Sequence, residues 1–200
     1  ETAVGGQLVT LQTPAARYED VPLALKGEHQ ARNAAIALAA AEAFFGGGAF
    51  AADVVEHAFM SVSSPGRLEI VRSSPTVVVD AAHNPHGAQA TADALREYFP
   101  GRLVGVVGMM ADKDVEGFLG VLEPVLDAVV VTDIASDRAM DADELADIAG
   151  GVFGDGRVFV ERNLAEAIDR AAGLAESDDG APMASPAVVV LGSIQLVAAA

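Results

Sequence analysis

The 200-residue sequence contains no cysteine and no tryptophan. Without cysteine the chain has no disulfide framework and no thiolate chemistry, which fits a reducing compartment such as the cytoplasm. Basic residues are also few, since 12 lysines and arginines stand against 29 acidic residues and give a net charge of −17. This charge argues against non-specific binding to nucleic acid or to an anionic membrane surface, although it allows a local nucleotide site.

Long hydrophobic runs are missing as well. The apolar stretches are interrupted by glycine or charge and are too short to cross a bilayer. The first residues carry no basic region and cleavage pattern of a secretory signal, and Glu1 stands where a start methionine would be expected. We therefore expect a processed or truncated globular protein of the cytoplasm, with a core built from the 52% hydrophobic residues.

Several signatures of common enzyme classes are absent too. No G-x-G-x-x-G follows the first strand of the alternating region, and there is no Walker A sequence. The run Gly46-Gly47-Gly48 follows a helical pattern, which is typical of a helix stop. Ser193 and His83 could suggest a hydrolase, but the G-x-S-x-G elbow is missing. No histidine pair has ligand spacing, so we predict no metal site complete within this chain.

The first 63 residues have a different pattern from the rest. They predict two short strands and two helices, at 6–11, 21–25, 29–45 and 51–60. The run Ser63-Ser64-Pro65-Gly66 then breaks the pattern. We therefore predict two parts, residues 1–63 and residues 64–200.

Strands and amphipathic helices alternate in the second part. Apolar runs predict strands at 68–71, 76–79, 103–107, 128–131, 158–160 and 187–191, with four helical patterns between them. Such alternation requires right-handed crossovers and a mostly parallel sheet. The sequence therefore predicts an α/β fold, a Rossmann-like sheet with helices on both faces.

The most informative motif follows the strand at 76–79. Asp80 ends this strand, and His83 and Asn84 come directly before a predicted helix that begins with Pro85. Asn84 suits an N-cap, and proline suits the first helical position. Ligands bind at the carboxyl edge of an open parallel sheet, so these side chains can face a crevice. An ordinary capped strand-to-helix loop is the alternative interpretation.

Polar residues follow three other predicted strands. They are Asp112-Lys113-Asp114, Asp133 with Ser136-Asp137-Arg138, and Gly192-Ser193. Carboxyl ends of parallel strands share one edge, so we expect these residues to converge there. Taken singly, Asp112 and Asp114 suit helix caps, Lys113 suits a solvated position, and Gly192-Ser193 suits a turn.

Four motifs together carry a family resemblance. They are Gly27-Glu28-His29-Gln30-Ala31-Arg32-Asn33-Ala34-Ala35, Ser64-Pro65-Gly66-Arg67-Leu68-Glu69, Asp80-Ala81-Ala82-His83-Asn84-Pro85-His86-Gly87 and Asp112-Lys113-Asp114. In this order they resemble folylpolyglutamate synthase/dihydrofolate synthase, a relative of the Mur ligases, over nearly the whole chain. The Asp-Lys-Asp motif favours this folate branch over a Mur ligase proper.

The resemblance implies an activity and a division of the chain. The family joins L-glutamate to the carboxyl group of a folate or dihydropteroate, using ATP and Mg²⁺, through an acyl phosphate. Residues 1–63 would be the tail of the larger ATP-binding domain, and residues 64–200 the smaller C-terminal domain. The site would lie between a preceding P-loop domain and this smaller domain.

The resemblance also implies roles for particular residues. Asn33, Arg67 and Asp80 match positions that contact the nucleotide, and Asn84 is a further candidate unless it only caps its helix. His83 matches a histidine near the incoming glutamate and is the catalytic candidate. Ser193 resembles a C-terminal serine near the same place.

The family's phosphate loop, Mg²⁺ ligands and modified lysine are not in this sequence, and we expect them in a preceding N-terminal domain. Because phosphoryl transfer depends on positioning and charge neutralisation, we predict that this chain alone is inactive and binds ATP weakly. Two other classes stay open. One is a receiver-like regulatory domain with Asp80 as phosphoacceptor, although the acidic pair that it needs is missing. The other is a non-catalytic oligomerisation module.

Overall fold

The structure is a computed structural model that describes residues 2–3, 6–177 and 185–200. The chain divides into two compact units, Glu1–Pro65 and Gly66–Ala200. This division falls close to the boundary between residues 63 and 64 that the sequence predicts. In the described part of the chain, every helix is too short or too polar to cross a membrane.

The first unit combines a small antiparallel sheet with two helices. Its elements are β1 (Thr2–Ala3), β2 (Gly6–Gln12), β3 (Arg17–Leu23), α1 (Glu28–Phe44) and α2 (Ala52–Ser61). Leu11, Val21 and Leu38 belong to the core that joins sheet and helices. The strand predicted at 21–25 starts earlier, because an irregularity at Asp20 (φ 54°) interrupts its alternating pattern.

The second unit contains a six-stranded sheet with the order β4-β5-β9-β6-β7-β8. Its strands are β4 (Glu69–Ser73), β5 (Thr76–Val79), β6 (Leu103–Val107), β7 (Ala128–Val131), β8 (Val158–Val160) and β9 (Ala187–Leu191). All pairs are parallel except β4 with β5, which are antiparallel. Only Ser74 and Pro75 connect β4 to β5, and so short a connection permits a hairpin but no crossover.

Five helices cover the two faces of this sheet. They are α3 (Pro85–Tyr98), α4 (Val115–Leu122), α5 (Ala142–Phe153), α6 (Leu164–Glu176) and α7 (Ile194–Ala199). The first three pack on one face, and α6 and α7 pack on the other. The predicted α/β fold is confirmed. Helix α7 was not predicted, because six residues are too few to show a helical period.

Candidate active site at the carboxyl edge of the sheet

The carboxyl ends of β5, β6 and β9 are held together by backbone hydrogen bonds. The Gly192 amide donates to the Ala82 carbonyl (2.9 Å), and the Gly108 amide donates to the Leu191 carbonyl (3.4 Å). Gly192 has a φ of +107°, and a Cβ atom there would lie 2.6 Å from the Gly108 oxygen. A glycine is therefore required where β9 leaves the sheet, and this close approach places Ser193 at the edge.

Asp80 is buried at this edge, with 3% of its surface exposed. One carboxylate oxygen accepts the Leu68 amide (3.0 Å). The other accepts the Ala82 amide (2.9 Å) and the Thr91 hydroxyl (2.8 Å). Both oxygens thus tie the end of β5 to the preceding loop and to α3. So enclosed a carboxylate is poorly placed to be the phosphoacceptor of a receiver-like domain.

The loop that Asp80 holds presents Arg67. Gly66 and Leu68 both have positive φ, 69° and 47°, and Leu68 is buried. The Gly66 amide donates to the Glu69 carboxylate (2.8 Å), and the Gly66 carbonyl accepts the Ala81 amide (2.8 Å). Arg67 is exposed between these fixed neighbours, and in the described part of this unit nothing pairs with its guanidinium. The loop therefore displays an available cation.

The start of α3 has the cap that the sequence predicts. The Asn84 side-chain oxygen accepts the Gly87 amide (2.8 Å), and Pro85 occupies the first turn. His83 lies just before this cap, with its Nδ1 2.9 Å from the Ala81 carbonyl. A carbonyl only accepts, so Nδ1 carries the proton and Nε2 is the acceptor nitrogen of the neutral ring. Capping occupies the side-chain oxygen of Asn84, while His83 keeps one ring nitrogen for other contacts.

His83 and Ser193 line one cavity of about 170 Å³. The other lining residues are Met110, Lys113, Arg138, Gly192, Ile194 and Gln195. Lys113 and Arg138 give this cavity a cationic wall. Ser193 is buried, and its hydroxyl oxygen caps α7 by accepting the Gln195 amide (3.2 Å). Two cations, an imidazole and a hydroxyl suit an anionic ligand with further polar groups.

A short ladder between two loops positions the cations. The Met140 amide donates to the Met109 carbonyl, and the Ala111 amide donates to the Arg138 carbonyl, both at 2.9 Å. This pairing sets the Arg138 guanidinium 2.8 Å from the carboxylate of Asp112, while the Lys113 ammonium lies 3.5 Å from it. Arg138, and secondarily Lys113, lower the pKa of Asp112. Asp114 instead caps α4 through the Gly117 amide (3.0 Å).

Asn33 belongs to the first unit. It lies on α1 with its side chain exposed, and its amide nitrogen donates to the Gln30 side-chain oxygen (3.1 Å). Its predicted role beside the nucleotide stays a prediction. Arg67, Asp80, His83, Asn84 and Ser193 all belong to the second unit, where they follow or flank the ends of β5 and β9.

The sequence predicts Lys113 and Arg138 at this edge of the sheet without giving either a ligand, and it does not point to Met110 or Gln195; all four line the cavity. The signal for Lys113 and Arg138 is that polar residues follow β6 and β7, since neighbouring parallel strands end at one edge. Within the described residues no group of three or more acidic or histidine side chains suits a metal ion.

The comparisons with known proteins agree with this architecture. Residues 66–193 match the family model described as Mur ligase, glutamate ligase domain. Because this match covers well over half of the chain, the chain belongs to that family.

Within that family the similarity points to the folate enzymes. The chain is 48% identical to the dihydrofolate synthase/folylpolyglutamate synthase of Mycobacterium tuberculosis, over 100% of this chain and 43% of that protein. A crystal structure of M. tuberculosis folylpolyglutamate synthase complexed with ADP and AMPPCP has a TM-score of 0.93 at 49% identity, covering 98% of this chain and 45% of that one.

A more distant solved structure has the same fold. Escherichia coli FolC in complex with DHPP and ADP has a TM-score of 0.75 at 31% identity, covering 92% of this chain and 40% of that chain. The present chain thus spans less than half the length of these relatives.

Proposed function

We propose that the complete protein is an ATP-dependent ligase of the cytoplasm that joins L-glutamate to folate or dihydropteroate. Residues 64–200 would form its C-terminal domain, and residues 1–63 the end of its central ATP-binding domain. The proposal is supported by the family match and by the similarity to folylpolyglutamate synthases. The observation that carries it is the cavity that His83 and Ser193 line together with the cations Lys113 and Arg138.

Arg67 is the strongest candidate for a nucleotide contact in this chain. Its guanidinium is exposed, and a guanidinium suits phosphate oxygens. Asp80 accepts the Leu68 amide and so fixes the loop that carries Arg67. It therefore acts on the nucleotide at least by positioning Arg67. Asn33 and Asn84 are the further candidates, and the Mg²⁺ ligands belong to the preceding P-loop domain.

The cavity suits the incoming amino acid. L-Glutamate carries two carboxylates and one amine, and Lys113 and Arg138 supply two cations. The Ser193 hydroxyl can donate to a carboxylate oxygen. These groups would hold glutamate with its amine directed at the acyl donor.

The proposed chemistry is the one that the resemblance to the folate ligases implies. The carboxylate of the folate or dihydropteroate attacks the γ-phosphate of ATP, which gives an acyl phosphate and ADP. The glutamate amine then attacks the acyl carbon, and inorganic phosphate leaves. His83 Nε2 is an acceptor in the neutral ring, so it can take the proton that the attacking amine loses.

The first test uses the full-length protein. We expect ATP-dependent incorporation of labelled L-glutamate into dihydropteroate, tetrahydrofolate or both, with one ADP formed per glutamate added. His83→Ala should reduce kcat, whereas His57→Ala, which removes an unrelated histidine on α2, should not. Absence of product with either acceptor, from a folded enzyme that binds ATP, would reject the proposal.

The second test concerns the division of labour between domains. This chain lacks a phosphate loop, so isothermal titration calorimetry of the chain alone should detect at most weak ATP binding. The full-length protein in the same buffer with Mg²⁺ should bind saturably. Micromolar affinity of the isolated chain would contradict the assignment of phosphate binding to the preceding domain.

A further inference from the structure

Two arginines at the carboxyl edge of the sheet are held in different ways. Arg162 contacts three carboxylates, those of Asp133 (3.2 Å), Asp141 (3.3 Å) and Asp143 (2.6 Å). Arg138 contacts one carboxylate, that of Asp112, and its side chain is 70% exposed. Arg162 is therefore fixed as a cross-link between loops, whereas Arg138 has donors to spare.

The Asp112 pair is also weak enough to exchange. Its carboxylate is about half exposed, at 48%. Exposed ion pairs contribute little, because water screens the attraction and two side chains lose freedom. A second carboxylate that reaches Arg138 can therefore replace Asp112 at small cost.

The position of the pair is what gives this exchange a use. Arg138 and Lys113 both line the cavity, and Asp112 contacts both of them without lining it. Asp112 thus partly neutralises the two cations of the cavity wall. An anion that contacts Arg138 and Lys113 in the cavity would compete with Asp112 for them.

We propose that the Asp112–Arg138 pair is an exchange site that selects a dicarboxylic amino acid: one substrate carboxylate takes Arg138 from Asp112. Arg138 is then a specificity residue, and Asp112 is the resident carboxylate that pairs with it in the free enzyme and is displaced on binding. This inference rests on the proposed ligase function and adds the group that distinguishes glutamate from its amides.

The test compares the direction in which two substitutions change the KM for L-glutamate of the full-length enzyme. Arg138→Ala should raise the KM for L-glutamate by about 10- to 100-fold, as expected for a lost hydrogen bond between charged groups. Asp112→Asn should lower that KM by about 2- to 5-fold, since the competing ion pair is gone. The KM for ATP should stay unchanged in both variants.

Arg96→Ala is the matched control, because Arg96 is also a partly exposed arginine with one carboxylate partner, Asp93 (3.1 Å), but lies on α3 outside the cavity. It should leave the KM for glutamate unchanged. L-Glutamine and L-isoglutamine each lack one of the two carboxylates. Arg138→Ala should lose discrimination against one of them, which identifies the carboxylate that Arg138 binds.

The outcomes separate the two levels of inference. If Asp112 only supports Arg138, both variants raise the KM for glutamate, and the exchange site is rejected. An active enzyme whose Arg138→Ala variant retains its KM and its discrimination against both amides also rejects it. A folded full-length protein that forms no glutamate conjugate rejects the proposed function, and the exchange site with it.

Discussion

Asp80 and Asp112 each follow a parallel strand at the same edge of the same sheet, yet their surroundings are opposite. Asp80 is buried, and both of its oxygens accept hydrogen bonds, from two backbone amides and a threonine hydroxyl of the same unit. Asp112 is half exposed and contacts two cations that line a cavity. One carboxylate builds the site, and the other lies where a ligand can compete with it.

This difference shows that the position of an acid at a strand end does not decide its role. The role depends on which hydrogen-bond and ion-pair partners surround the carboxylate. A carboxylate with three internal donors is a structural group, because removing it leaves those donors buried and unpaired. A carboxylate whose partners are exposed side chains contributes little to stability and remains available for exchange.

The strongest way to break this comparison is Asp80→Ala. The change leaves the Leu68 and Ala82 amides and the Thr91 hydroxyl without their acceptor. We expect the free energy of unfolding to fall by about 3–5 kcal/mol, since each buried unpaired donor costs about 1–3 kcal/mol. Urea denaturation followed by circular dichroism measures this loss.

Asp114→Ala is the control for that experiment. It removes an exposed cap of α4, so it should cost only about 1 kcal/mol. Equal losses for Asp80→Ala and Asp114→Ala would show that burial does not separate the two kinds of aspartate.

Arg67→Ala should give the opposite profile. Arg67 is exposed and unpaired in the described part of its unit, so its loss should leave unfolding unchanged. In the full-length enzyme the lost phosphate contact should weaken transition-state binding by about 2–4 kcal/mol. The measurement is kcat/KM for ATP, and an unchanged value would exclude Arg67 from the nucleotide site.

Much of this fold could be predicted because its signals are local. In runs such as Val77–Val79 every residue is apolar, so both faces of the strand are expected to be buried. Such runs indicate parallel strands inside a sheet. Asn84 and Asp114 cap helices as their spacing to the following helix predicts. The antiparallel pairing of β4 with β5 could not be predicted, because the two strands are short. Helix α7 has six residues, which are too few to show a helical pattern.

The contacts of the site depend on long-range pairing and could therefore not be predicted from the sequence. Arg138 meets Asp112 only because β6 and β7 end together and their loops pair through Met110 and Ala139. The burial of Asp80 likewise requires the loop at Leu68 and the α3 residue Thr91 to approach the same carboxylate. A motif names such residues, but it does not say which oxygen is used.

The smallest expected effect is also the most direct sign of the Asp112 pair. Arg138 lowers the pKa of Asp112, so ionised Asp112 stabilises the fold above its ordinary pKa of 3.8. That contribution disappears as the pH falls through the lowered pKa.

Arg138→Ala should move the pKa of Asp112 back towards 3.8, incompletely because Lys113 remains beside it. Carboxyl ¹³C NMR titration measures the shift. Asp141 is the internal control, since the Asp143 amide and Arg162 lower its pKa and neither changes. An Asp112 titration that is the same with and without Arg138 would mean that the pair does not form in solution.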